Sequence, residues 1–159
     1  MHFFRFRDFV LHNIKYFNNI CSRITADTKK VLVVKSGAPV LAVGVAILLG
    51  PSGSVYCDAN LSAKIITDAG FKYLIDQRRI VFYGNNRHPP YAYTPGLPDY
   101  TTLLREHMEQ YAPFDLILST QEQVRFLDRT VQELLKPDGE MVDYRTNTLF
   151  QINWQSRFH

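Results

Sequence analysis

The 159-residue chain reads as an α/β protein, a Rossmann-like and mostly parallel sheet with flanking helices, preceded by an amphipathic N-terminal helix. Short apolar runs of strand length alternate with segments of about ten residues that have the helical period. The clearest run, Val31 to Val34, is continuous rather than alternating, the pattern of a strand covered on both faces by helices. Glycine, asparagine or aspartate punctuates several element ends, so each run is closed by a residue that turns the chain.

Residues 1–26 place Phe3, Phe6, Val10, Ile14, Phe17, Cys21 and Ile24 at steps of three and four, which defines the apolar face of a helix. Arg5, Asp8, His12, Lys15, Asn19 and Arg23 occupy the other face. Such a basic, aromatic-rich helix reads first as one that packs its phenylalanines on the domain or on a partner chain, and with few acids it is also similar to a mitochondrial targeting segment.

Val31 to Val34 is the first strand. Pro39 suits the first turn of the helix that follows, where a missing N–H costs nothing, and that helix runs to about Leu49. Gly50, Pro51, Ser52 and Gly53 form a turn into a short second strand, Ser54 to Cys57, that ends at Asp58. Asn60 caps a helix through Ala69 that Gly70 stops, and Arg79 to Tyr83 is the third strand, ended by Gly84, Asn85 and Asn86.

Residues 86–99 hold four of the eight prolines and form a long surface insertion suited to partner contact. A helix is expected over 101–111, a fourth strand from Phe114 to Leu118, and a helix from Gln121 to Leu135. Lys136 to Gly139 should end that helix in a turn, Glu140 to Tyr144 should form a fifth strand, and the alternation of Phe150, Ile152 and Trp154 with polar neighbours predicts a last one.

Composition limits the function classes. Hydrophobic residues make up 46% of the chain and charged residues 21%, ordinary for one folded domain rather than a disordered segment. The net charge of +3 is unevenly placed, because residues 1–35 carry seven Lys or Arg against Asp8 and Asp27. A basic front on a near-neutral body suits an anionic partner, RNA phosphates or a membrane face, and also an ordinary solvated helix. Cys21 and Cys57 have no metal-ligand spacing and read as free thiols. The apolar stretch from Ala38 to Leu49 is interrupted by Pro39 and Gly44 and is shorter than the roughly 18–20 residues of a span, so it reads first as a core helix and second as a single inner-membrane span flanked by Lys29, Lys30 and Lys35.

Four segments carry a resemblance to a family: Gly50 to Asp58, Arg79 to Asn85, Pro113 to Ser119, and Val131 to Gly139. In their order and spacing the chain resembles the class I S-adenosylmethionine-dependent methyltransferases, in particular the protein-isoaspartate methyltransferase-like branch, over about residues 30–144. The resemblance implies a first strand ending in an acid and a Gly-x-Gly-x-Gly loop around the cofactor's amino-acid part. The matching positions are Val33 for the acid and Lys35, Gly37 and Pro39 for the glycines, so only Gly37 survives. Val33 brings no carboxylate for an ammonium group, and Lys35 and Pro39 add bulk where backbone must approach a ligand.

Asp58 matches the acid that holds the ribose hydroxyls in the family, and Asn85 stands where an acid or amide faces the adenine; Asp58 also suits a plain strand-end turn. Ser119, Thr120 and Gln121 occupy the substrate-facing position without a catalytic signature. His88 and His107 have no nucleophile or metal spacing, and Arg78 and Arg79 read as a solvated edge.

Two segments result: a basic helix over 1–29 for docking or targeting, and a degenerate, trimmed methyltransferase-like domain over 30–159. The expected function is a catalytically inactive structural subunit of a larger, mitochondrial assembly, with protein partners, no cofactor, and RNA phosphate contacts through the basic N-terminus or peripheral membrane contacts besides. Such an assembly is a ribosome or ribosome-assembly particle, or a respiratory or ATP-synthase complex. An active S-adenosylmethionine-dependent methyltransferase on protein or RNA, a single-span membrane subunit, and a cytoplasmic location are the alternatives.

Overall fold

The computed structural model describes residues 14–34, 39–58, 62–83, 108–120 and 132–150. The expected proline-rich insertion, the helix over 101–107, the helix over 121–131 and the strand beyond Phe150 lie outside the described residues.

Helix α1, described over residues 14–20, tightens into a 3-10 turn at Cys21–Arg23 and leads into β1, Lys30–Val33. The order continues with α2 Pro39–Leu49, β2 Ser54–Asp58, α3 Ser62–Asp68, α4 Lys72–Asp76, β3 Ile80–Tyr83, β4 Phe114–Ser119, β5 Leu135–Asp143 and β6 Thr148–Leu149. The six strands form one sheet in the order β3-β2-β1-β4-β5-β6. All neighbours are parallel except β5 and β6, which pair antiparallel. This is the Rossmann-like arrangement expected: the order reverses between β1 and β4, the topological switch point of an open α/β sheet.

The continuous apolar runs are explained by burial on both faces. Val31, Leu32, Val33 and Val34 are fully buried, with Val31 and Val33 packed in the cluster that contains α2 and Leu32 and Val34 packed in the opposite one with Tyr56, Met108 and Ile117. Strand period two sends neighbours to opposite faces, and here both faces are apolar.

α2 is apolar around most of its circumference because neighbours surround it; only Ile47 and Leu48, near its end, are about half exposed. Its 11 residues span about 16 Å, roughly half of a bilayer's hydrocarbon core. It is a core helix, and among the described residues no helix is long and apolar enough to cross a membrane. Pro39 is its buried first residue, as its missing N–H predicts. Gly50 ends it at φ 76°, donating its N–H back to the Ala46 carbonyl at 3.2 Å.

Two expectations are corrected in the last third of the chain. Lys136 to Gly139 is not a turn that precedes the fifth strand; it lies inside β5, which begins at Leu135. Leu135 pairs with Phe114 and Glu140 with Leu116, so the extra residues on β5 are absorbed as an irregularity between two pairings. Residues 133–134 are already a turn, so the helix expected to reach Leu135 ends earlier. The last described strand is Thr148–Leu149, and the one expected from the alternation of Phe150, Ile152 and Trp154 lies outside the described residues. Helix α4, five residues without a side-chain cap, was not expected from the sequence; Leu74 is its only buried residue, too little to leave a period.

α1 joins the domain. Phe17 lies over Gly44 of α2, and Tyr16 meets Tyr144, just past β5, edge-on with ring centroids 5.4 Å apart. Of the two readings of its apolar face, packing on the domain describes residues 14–24.

Candidate functional site

In an open α/β sheet ligands bind outside the carboxyl ends of the strands, at the switch point. Across that edge the chain places Tyr83, Asp58, Val33, Ser119 and Asp143 at or beside the ends of β3, β2, β1, β4 and β5. Asp58 is the last residue of β2 and pairs with Tyr83, so the acid expected for ribose hydroxyls sits one strand away from the switch point. Gly37 and Asn85, the other two expected cofactor-binding residues, lie outside the described residues, as does Lys35.

The end of β1 is the best-defined part of this edge. Val33 pairs with Leu118, and the next residue, Val34, donates its N–H to the Leu118 carbonyl at 2.9 Å. Both valines are fully buried in apolar surroundings. The position that would carry an acid in the resembled family is therefore a packed core position, and α2 opens with an imide nitrogen that donates nothing.

Ser119 and Thr120, expected to face a substrate, are buried to 0% and 1% exposure. Ser119 pairs with Asp143, and its carbonyl accepts the Tyr144 N–H at 3.1 Å. Asp143 is 5% exposed, and its Oδ1 accepts the Arg145 N–H at 2.9 Å while its carbonyl accepts the Asn147 N–H at 2.8 Å. Those bonds build the β5–β6 turn, which makes Asp143 a turn-forming acid at this edge.

No family model matches the chain, and no curated protein matches it. Among solved structures the chain is similar to a chain of the Trypanosoma brucei PRMT1 enzyme-prozyme heterotetrameric complex with AdoHcy, at 16% identity and a TM-score of 0.43, over 80% of its own length. It spans 36% of that chain. The Rossmann-like fold rests on the strand order and pairing themselves.

The opposite, amino edge of the sheet carries a polar cleft of about 190 Å³ that the sequence did not reveal. Arg23, Asp27, Thr28, Asp115, Asp138 and Glu140 are among the residues lining it. Asp115 is its organising group. One oxygen accepts the N–H groups of Lys29 and Lys30 at 2.9 Å each, and the other meets the Lys136 ammonium at 2.7 Å. Burial pushes the Asp115 carboxyl up, but the Lys136 hydrogen bond and the two amides outweigh it and hold the group below its ordinary value.

This carboxylate ties the start of β1 to β4 and to the irregular stretch of β5, the work of a structural clamp. The sequence signal was one acid inside the apolar run Phe114 to Leu118. Among the described residues no group of three His, Cys, Asp or Glu is placed to hold a metal ion, and neither the half-buried Cys21 nor the buried Cys57 is in a disulfide.

Proposed function

We propose that the chain is a catalytically inactive methyltransferase-like domain serving as a structural subunit of a larger assembly, with mitochondria as its location. The observation that carries the reading is the end of β1, where Val33 is fully buried in the apolar core and contributes no carboxylate beside the switch point. An ammonium-bearing cofactor loses its counter-charge there, and Pro39 withdraws one N–H from the start of α2. A Rossmann-like core that lacks that acid retains its folding function, and its surface is what remains to act.

The partners of this reading are protein subunits of the assembly, with RNA phosphates or a membrane face as further contacts of the basic N-terminal segment. The assembly is a ribosomal particle or a respiratory or ATP-synthase complex. Co-purification of the native protein, followed by identification of its companions, tests this part; recovery as a free monomer from gently lysed mitochondria counts against it.

Asp58, retained at the end of β2, favours a second reading in which the domain still binds an adenosyl group and methylates protein or RNA. Isothermal calorimetry with S-adenosylmethionine separates the two. The inactive reading expects no binding heat at millimolar ligand, whereas micromolar affinity overturns it in favour of the enzyme.

A further inference from the structure

The first helix raised a choice between a removable address and a docking element, and its contacts divide it. Beyond the packing of Tyr16 and Phe17, the Asn19 side-chain amide donates to the Arg145 carbonyl at 2.6 Å, and Ile20 is fully buried. Arg23 spends its guanidinium on the far end of the chain. Its Nε donates to Asn147 Oδ1 at 2.7 Å, Nη1 to Glu140 Oε2 at 2.9 Å, and Nη2 to the Asn147 carbonyl at 3.1 Å.

Residues 16–23 thus bridge α2 on one side and the β5–β6 turn on the other, reaching partners more than a hundred positions later in the chain. Without them Ile20's neighbours and Tyr144, which is 4% exposed, lose their cover, and Asn147 keeps its φ of 60° without the guanidinium that binds it on two atoms. Apolar cover and charge-assisted bonds of this kind are not given up by a domain of this size without loss of its fold.

We propose that residues 16–23 are a permanent clasp of the domain, and that any proteolytic removal of the basic N-terminal segment stops ahead of Tyr16. Whatever addressing role the segment has then falls to residues 1–15. The clasp is independent of whether the domain binds S-adenosylmethionine.

Limited trypsin digestion of the full chain tests this. The fragment that carries β1 should begin at or before Tyr16, with cleavage after Arg23 at least about a hundredfold slower than in the urea-unfolded chain, because cutting inside a folded unit follows the population of its open form. Phe17→Ala and Asn19→Ala in the same chain should each speed cleavage after Arg23 by roughly tenfold or more. Rapid cleavage after Arg23 in the folded wild-type chain, or no acceleration in either variant, overturns the clasp. So does a mature protein, purified from its native source and sequenced by mass spectrometry, whose N-terminus lies beyond Tyr16.

Discussion

The ring of Phe17 occupies the space that a side chain on Gly44 would need: a Cβ built there would lie 2.7 Å from Phe17 Cδ2 and 3.0 Å from Cγ. The close approach of α1 to α2 therefore depends on the absence of one methyl group. Glycine inside a helix is disfavoured against alanine by about 1 kcal/mol, so local propensity alone would favour the substitution. Overpacking a filled contact costs about 1–3 kcal/mol, and the near end of a wedged ring has little room to give. Gly44→Ala is expected to destabilise the domain by about 1 kcal/mol in urea unfolding, and Phe17→Leu in the same chain to recover part of that loss, since the two residues share the contact.

The Asp115 clamp predicts a specific acid sensitivity. Its folded pKa is held below the ordinary 3.8, so its contribution is fully present above that value and is lost as pH falls through the folded one. Asp115→Asn keeps an acceptor but removes the charge met by Lys136. Bonds to charged groups contribute about 1.5–3 kcal/mol, which sets the expected loss near neutral pH at about 2 kcal/mol. The variant's stability should also fall less steeply than the wild type's below pH 4, read from urea midpoints across the acid range.

Arg78 holds φ at 57° with an exposed side chain, a conformation that costs a non-glycine residue about 1 kcal/mol or more. Its carbonyl accepts the Ser54 hydroxyl and its N–H donates to the Ile75 carbonyl, and both groups persist in any substitution. Arg78→Gly relieves the strain but frees the unfolded chain, so a net gain of about 0.5 kcal/mol is expected in thermal unfolding. An unchanged or lower melting temperature would show that the guanidinium contributes more than the strain costs.

Restoring the acid that the resembled family carries at the end of β1 should not restore a site. Val33→Asp places a carboxylate where the valine is fully buried, with a cost of several kcal/mol. The expected outcome is loss of cooperative unfolding, with the milder Val33→Thr losing about 1–2 kcal/mol and gaining no affinity for S-adenosylmethionine. A stable Val33→Asp variant that binds the cofactor would mean this position opens toward the edge.

The central sheet was legible because its strands are apolar on both faces, so Val31 to Val34 and Phe114 to Leu118 stand out as continuous runs. Their ends were legible through Pro39, Gly50 and Asp58, residues with one strong conformational or capping preference. The irregular stretch of β5 was not: Lys136, Pro137, Asp138 and Gly139 have the composition of a turn, and only the pairing of Leu135 with Phe114 makes them part of a strand. Tertiary pairing outweighed local turn chemistry there. Of the candidate site, Asp58 could be placed at a strand end from its position after an apolar run, whereas the burial of Ser119 and Thr120 depends on neighbours far along the chain. The Asp115 clamp was hidden for the same reason, since its partners lie 86, 85 and 21 residues away.

The bond between Asn19 and Arg145 closes a separation of 126 residues. A ribosome adding about 5–20 residues per second takes roughly 6 to 25 s to travel that distance. Throughout that interval the aromatic face of the first helix has been made and its seat on the β5–β6 turn has not. Until then Tyr16 and Asn19 wait for Tyr144 and Arg145, and only the completed chain seats them. The clasp is thus among the last contacts that synthesis can close, and a chain cut short before Arg145 leaves Asn19 without its seat.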